Sequence, residues 1–366
     1  MNKTKLLILL SIITCVGFIN TACAQSDDGL ALKAKGKETV ELRFNGRLQT
    51  QFDGLAMEEN GSDLPSTSHF YFRRLFLGAK AKLSNGVYSE SVFNFAGNDF
   101  SIDKAIIGHK FDSGVTGIAG YQKVPFGYEE TTSSSKLQTI ERSAINRFFA
   151  DDIDFSARHM GLHAKGKLDN GLSYAWALVN GMQGEGSKLG GSSNGSNDLA
   201  TFARLQWKED KVTFGVDGGL QANNSVVGED VSAYTAYVNY KDGGINLLGE
   251  YFTGDLGGNG DVNGFALRAS HRDGDFEKVI RYATAKADSF VIDSDELIRR
   301  APKGGDVGDL PGSIDNEIDS FYVGLNYYYS KAVTLMAGYE MAESSNAAGD
   351  DTADINGFRA RIQVLW

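Results

Sequence analysis

The stretch Phe358-Arg359-Ala360-Arg361-Ile362-Gln363-Val364-Leu365-Trp366 decides how the rest of the chain is read. Apolar side chains fall at Phe358, Ala360, Ile362, Val364 and Trp366, and Arg359, Arg361 and Gln363 fall between them. A period of two describes a strand with one apolar and one polar face. A soluble sandwich can also carry such a strand. A full strand of this kind that stops on an aromatic residue fits the closing strand of an outer-membrane β-barrel better.

The opposite end agrees. Lys3 and Lys5 precede an apolar run from Leu6 to Ile19, followed by Ala22-Cys23-Ala24. This is the layout of a secretory leader, residues 1–24, and the run is too short for a comfortable spanning helix. A lipoprotein anchored at Cys23 is the competing reading, with Asn20 where such signals usually want Leu or a similar residue. Cleavage after Ala24 removes both cysteines, Cys15 and Cys23, so no disulfide, thiolate metal site or cysteine nucleophile is expected. It also removes Lys3 and Lys5, which moves the formal charge from −11 to −13. Residues 25–38 then read as a periplasmic segment and 39–366 as the barrel.

Composition points the same way. Gly is abundant (44), Pro is scarce (4), and there are 22 Phe and 15 Tyr. Beyond the leader no apolar run is long enough for a spanning helix, and spanning strands need none because only alternate residues face lipid. No linker divides the chain. About sixteen strands follow at period two, near 39–52, 69–83, 87–97, 102–111, 115–125, 156–168, 171–181, 199–208, 212–222, 231–241, 245–254, 262–272, 276–287, 318–329, 331–342 and 354–366. The alternation is blurred at 102–111 and 245–254.

The connections alternate in length. Ser84-Asn85-Gly86, Asp112-Ser113-Gly114, Asp169-Asn170-Gly171, Lys241-Asp242-Gly243 and Asp273-Gly274-Asp275 are tight turns built from residues that tolerate positive φ. Longer connections lie between them at 53–68, 126–155, 182–198, 223–230, 255–261, 288–317 and 343–353. A membrane barrel has this rhythm, with short periplasmic turns and longer external loops.

Phe72-Arg73-Arg74-Leu75-Phe76-Leu77-Gly78-Ala79-Lys80 resembles the second strand of the phosphate-selective porin O/P family. So do Gly120-Tyr121-Gln122-Lys123-Val124-Pro125-Phe126-Gly127-Tyr128-Glu129, Thr132-Ser133-Ser134 and Glu141-Arg142-Ser143, and Gly324-Leu325-Asn326-Tyr327-Tyr328 is similar to a late strand. The resemblance implies a sixteen-stranded trimeric porin whose third loop folds into the lumen. It also implies passive passage of anions, with phosphate or polyphosphate in the best-known members. Outer-membrane lipid and lipopolysaccharide would surround it. No nucleic-acid partner and no cofactor are expected.

Charge is unevenly placed. Acids crowd the predicted external loops: Asp53, Glu58, Glu59 and Asp63 in the first, and Asp293, Asp295, Glu296, Asp306, Asp309, Asp315 and Glu317 in the seventh. Asp350, Asp351 and Asp354 lie in or beside the last. They read as a solvated rim or, alternatively, as ligands for divalent cations near anionic headgroups. On strand faces opposite the apolar residues lie Arg43, Arg47, Arg74, Lys80, Lys82, Lys165, Arg204, Arg268, Arg272, Arg281, Arg359 and Arg361. Lys123 enters the third loop, which adds Lys136, Arg142 and Arg147. The opposing acids, Glu41, Glu90, Asp217, Glu277 and Glu340, are fewer.

An anion entering a narrow pore loses water and needs hydrogen bonds and positive potential in return. Arg offers a planar fork for oxyanions and Lys a compact charge. The competing reading is a weakly selective pore whose arginines hold the constriction loop, with Glu141-Arg142 as a structural ion pair. An enzyme is the remote alternative. His159 and His163 would sit about 13 Å apart on a strand at about 3.3 Å per residue, so they cannot share a metal. No nucleophile elbow, P-loop or dinucleotide fingerprint appears. Tyr174, Trp176, Trp207, Tyr240, Tyr327, Tyr339 and Trp366 read as interfacial aromatics.

If the last strand closes the barrel, deleting 358–366 leaves an open edge that lipid cannot satisfy. The truncated chain should remain in the periplasm or be degraded, and cell fractionation would show it. Normal outer-membrane levels of that chain would contradict the closing role.

Overall fold

The computed structural model describes residues 22–26, 29–35, 39–97, 100–182, 198–292, 298, 316–346, 348 and 352–366. The leader is therefore almost wholly outside the described residues, as are Asp293, Asp295, Glu296, Asp306, Asp309, Asp315, Asp350 and Asp351. A short hairpin, β1 (Ala22–Ser26) and β2 (Gly29–Lys35), pairs onto β3 (Thr39–Glu59) through Ala31↔Arg43 to Lys35↔Thr39. The chain continues as β4 (Ser62–Leu83), β5 (Val87–Asn94), β6 (Ser101–Lys110), β7 (Thr116–Lys123), β8 (Arg158–Lys167) and β9 (Leu172–Asn180). Then come β10 (Leu199–Glu209), β11 (Val212–Asn224), β12 (Glu229–Asp242), β13 (Ile245–Asp255) and β14 (Asp261–Asp273). The last are β15 (Phe276–Ala287), β16 (Glu317–Tyr328), β17 (Val333–Ser345) and β18 (Thr352–Leu365).

Each strand from β3 to β18 pairs antiparallel with its sequence neighbour, and β18 returns to β3 from Ala353↔Glu59 to Leu365↔Arg47. Sixteen strands thus form a closed ring, as the alternation predicts. Both strands with blurred patterns, β6 and β13, are present. Trp366 completes the seam by exchanging two backbone hydrogen bonds with Gly46, at 2.9 and 3.2 Å.

Alternation sorts the side chains as expected. In β15, Ile280 and Tyr282 are exposed while Arg281 is 1% exposed. Leu267 is likewise exposed and Arg268 buried in β14. The large apolar residues face outward and the charged ones inward, which inverts a soluble barrel and suits a lipid exterior.

The first predicted loop needs correction. β3 and β4 run on to Glu59 and Ser62 and turn at Asn60 and Gly61, both at positive φ. Asp53 is therefore no rim acid. It is buried on the inner face, where Tyr71 donates to it at 2.8 Å and Gln51 at 3.0 Å. Outward positions past Phe52 and Phe70 are small or polar, at Gly54, Ala56, Glu58, Ser66 and Ser68, so the apolar band stops there, but the ladder continues to Glu59↔Ser62 because backbone pairing needs no lipid.

Closure leaves room for backbone alone at one point of the seam. A Cβ on Gly357 would lie 2.1 Å from the carbonyl oxygen of Gly54. Gly357→Val should therefore weaken β18–β3 pairing and lower the yield of folded barrel. The shift in mobility between heated and unheated samples on gels measures this, and an unchanged folded fraction would show that the seam yields.

Candidate functional site

The segment between β7 and β8, residues 124–157, determines what the barrel encloses. Pro125 cannot donate to a strand ladder, so the chain leaves the wall there. Gly127 follows at φ 77°, a conformation other residues rarely adopt. Its N–H reaches the Asp217 carboxylate of β11 at 2.9 Å. Tyr128 N donates to Glu250 of β13, and the Tyr128 hydroxyl to Asn239 of β12 at 3.0 Å. Within a few residues the chain has passed from β7 to the opposite arc.

It then follows the inner wall. Asn326 of β16 donates to the Gln138 carbonyl at 2.8 Å, and Arg281 of β15 to the Glu141 carbonyl at 2.8 Å. Gln363 of β18 and Gln49 of β3 donate to the Ser135 and Ser134 carbonyls at 3.2 and 3.3 Å. A segment bonded to inward residues of so many strands runs through the enclosed space.

Two kinds of contact hold it. Phe126, Phe149 and Phe155 pack on Phe202 of β10 and Phe252 of β13, and Phe148 packs edge-on against Phe149, with ring centroids 5.1 to 6.4 Å apart. Each such pair contributes about 0.5–1.5 kcal/mol beyond area burial. The other contacts are ionic. Glu141 receives Arg73 through both oxygens, at 2.8 and 3.1 Å, and Arg361 at 2.7 Å. Glu130 pairs with Lys123 at 2.6 Å and Arg142 at 3.0 Å. Glu129 lies 3.6 Å from Arg268 and accepts from Ser143 N and Oγ at 2.9 Å. Arg142 also donates to the carbonyls of Glu129, Glu130 and Thr132, which ties the segment to itself.

Burial by itself would favour the neutral acid at Glu141, but Arg73 and Arg361 outweigh it and hold the carboxyl well below the usual carboxylate range. At Glu130 burial is likewise outweighed, by Arg142 and then Lys123, and its carboxyl is also held down.

The predicted basic residues fall into distinct groups. Arg281, Arg359 and Arg361 are 1% exposed and bind loop or wall carboxylates. Arg204 forks onto Asp217 with two contacts of 2.6 Å. Arg147 is buried in its one-turn helix, Ala144–Arg147, and pairs with Asp151 at 3.1 Å. Arg43 pairs with Glu41 at 2.6 Å, Lys80 is exposed and lies over the Tyr88 ring, and Lys136 is exposed on the segment. Glu141 and Arg142 do not pair with each other, as the adjacent positions had implied. Each finds its partners across the lumen or within the loop.

A cavity of about 1060 Å³ lies between the segment and the wall of β3–β8. Of the predicted residues, Arg47, Arg74, Lys123 and Arg142 line it. Arg73, Lys104 and Arg158 line it too, although alternation had not singled them out. Arg73 is the extra residue of a bulge, since Gln49 pairs with Arg74 but Thr50 pairs with Phe72. A bulge places two successive residues on one face. The spacing of Phe70, Phe72 and Leu77 carried the signal: outward residues at period two change parity between 72 and 77. Asp103 occupies a similar irregularity between Val92↔Lys104 and Phe93↔Ile102.

Comparison with known proteins is consistent with this architecture. Residues 42–153 match the family described as phosphate-selective porin O and P, which bears out the resemblance over that stretch. An anion-selective porin from Comamonas acidovorans superposes with a TM-score of 0.64 at 14% identity, covering 89% of this chain and 100% of that one. OprB of Pseudomonas putida gives 0.61 at 11% identity, with coverage of 88% and 94%. The outer membrane channel DcaP of Acinetobacter baumannii gives 0.59 at 10%, with coverage of 93% and 99%. At such identities the likeness establishes the shared barrel fold. No curated protein sequence matches the chain.

Removing one partner of a buried ion pair costs about 3–5 kcal/mol. Glu141→Gln leaves Arg73 and Arg361 without their shared carboxylate, so the segment should loosen and single-channel current become noisier. In the native protein the Glu141 contribution is complete above the ordinary carboxylate range of about pH 4.3 and is lost only as pH falls through its depressed value. The difference in noise between the native and Glu141→Gln channels should therefore stay constant from pH 8 down to about pH 5. A Glu141→Gln channel as quiet as the native one would exclude Glu141 as the anchor.

Proposed function

We propose that the protein is an outer-membrane porin through which small anions diffuse passively. The observation that carries this is the charge around the cavity. Arg47, Arg73, Arg74, Lys104, Lys123, Arg142 and Arg158 face Glu90, Asp103, Glu130 and Asp151. Bases exceed acids where the passage is narrowed and salt screening is weakest, although the chain as a whole is acidic, at −11. The family match over 42–153 and the anion-selective porin of the same fold support the reading. We further propose export through the 1–24 leader and assembly as a homotrimer. A trimeric form of the similarly folded OmpT of Vibrio cholerae supports the latter.

One observation favours a weaker selectivity. Most of the predicted arginines are bound to carboxylates rather than free. The pore would then act as a general diffusion channel with an anionic bias, and phosphate would be one permeant among several.

The reading is tested in a planar bilayer under a salt gradient. The zero-current potential should show anion preference, and a cation preference would overturn the reading. Lys123→Glu places a second carboxylate where Nζ now lies 2.6 Å from Glu130, so it should reduce or reverse the preference. Neutralising Asp293, Asp295 and Glu296 should change it little, if they lie more than about 8 Å from the passage.

A further inference from the structure

We propose that the outer wall over β13–β15 seats one phospholipid, with an acyl chain in a groove at Gly249 and Ala269 and the phosphate at Lys278 and His271. This rests on the reading of the chain as an outer-membrane barrel and is independent of its anion preference.

Strand register sets the outward side chains of this arc in rows. Val238, Gly249, Leu267 and Tyr282 stand opposite one another in the first row. Tyr240, Leu247, Ala269 and Ile280 form the second, nearer the tight turn at Gly274. Gly249 and Ala269 are small among large neighbours, and the wall is indented there as a groove of about 510 Å³. The groove has spare room at Gly249. A Cβ added there would meet Leu267 Cδ2 at 3.4 Å and Val238 Cγ1 at 3.7 Å, both ordinary contacts. An indentation facing hydrocarbon gains dispersion contacts when a chain of matching width lies in it.

The third row changes character. It holds Ile245, His271, Lys278 and Leu325. His271 follows Ala269, and Lys278 precedes Ile280, by two residues, about 7 Å along the strand. Both are exposed, and they stand directly opposite each other. Lys286, farther along the same outward face of β15, is paired with Glu317 at 2.9 Å. Among the described residues, neither Lys278 nor His271 has a hydrogen-bond or ionic partner. The turn acids Asp273 and Asp275 form no ion pair with Lys278.

Depth explains why a lysine is tolerated there. Phe276, one outward position nearer the turn, stacks on Tyr327 with centroids 4.8 Å apart. Such aromatics mark the boundary between hydrocarbon and headgroups. A charge at that level costs about 0–1 kcal/mol, against about 2–4 kcal/mol for a basic residue at the midplane. The Lys278 stem can lie on the apolar wall while its ammonium reaches the headgroup layer. A lipid phosphate supplies the acceptor oxygens and negative charge that the ammonium and the imidazole N–H lack. Asp273 and Asp275 stand farther toward water, where the ammonium of an ethanolamine headgroup would lie. Chain, phosphate and amine thus meet groove, bases and acids in the same order.

The test uses the whole purified protein in neutral detergent, titrated with phosphatidylethanolamine or with diacylglycerol of the same chains and read by native mass spectrometry. The phospholipid should bind about tenfold more tightly, equivalent to about 1.4 kcal/mol. Lys278→Ala combined with His271→Ala should remove that difference. Gly249→Val fills the groove and should weaken both lipids alike, with the heat shift on gels showing that the barrel is folded. Equal affinities in the native protein, or a difference that survives the double replacement, would overturn the inference. Gly249→Val that leaves lipid binding unchanged would also overturn it, and loss of the oligomer in that variant would assign the groove to a sister barrel instead. None of these outcomes touches the channel reading, which stands or falls on the zero-current potential.

Discussion

Every backbone N–H and C=O in contact with hydrocarbon must find its partner within the protein, because lipid offers none. A sheet meets this demand only when it has no edge. The pairing of β18 with β3, from Ala353↔Glu59 to Leu365↔Arg47, removes the edge and fixes the size of the ring. Once sixteen strands enclose a space, that space is too wide for side chains of the wall to fill. Something must cross it if the pore is to discriminate. The inward polar face, the outward apolar face and the crossing segment all follow from closure.

The crossing segment resolves a conflict between burial and charge. Glu129, Glu130 and Glu141 are nearly inaccessible, and isolated carboxylates there would be very costly. Each is met by guanidinium or ammonium groups from the wall or the loop. Such pairs contribute modest net stability, since desolvation offsets much of the attraction, but they penalise any other placement of the loop. The phenylalanine cluster supplies nondirectional packing on the β10–β13 side. The cavity lined by Arg47, Arg74 and Lys123 lies on the other side of the segment, against β3–β8. The same pairing neutralises much of the positive charge that a count of wall residues gives.

Much of the architecture was legible in the chain. Period-two alternation identified the strands and their faces, and turn residues such as Asn85-Gly86 and Asp112-Ser113-Gly114 marked one end of the barrel. These features are local, set by side-chain sterics and by the contrast between lipid and water. Reading failed where locality failed. The bulge at Arg73 breaks the alternation, so a residue that grips the loop was assigned to no face. Asp53 was placed on the outer rim because the strands run beyond the apolar band that revealed them.

Sequence by itself determined that the chain forms a closed barrel with an apolar outer face and a charged inner one, because alternation and turn chemistry act between residues close along the chain. It could not determine which bases remain available to an anion. Glu141 is adjacent to Arg142 in sequence, yet it binds Arg73 and Arg361, which lie 68 and 220 residues away. Only the curvature of the ring brings those groups to one point. Coulomb energy depends on distance in space and on local dielectric, so the division between structural arginines and those open to the passage was decided by the tertiary fold.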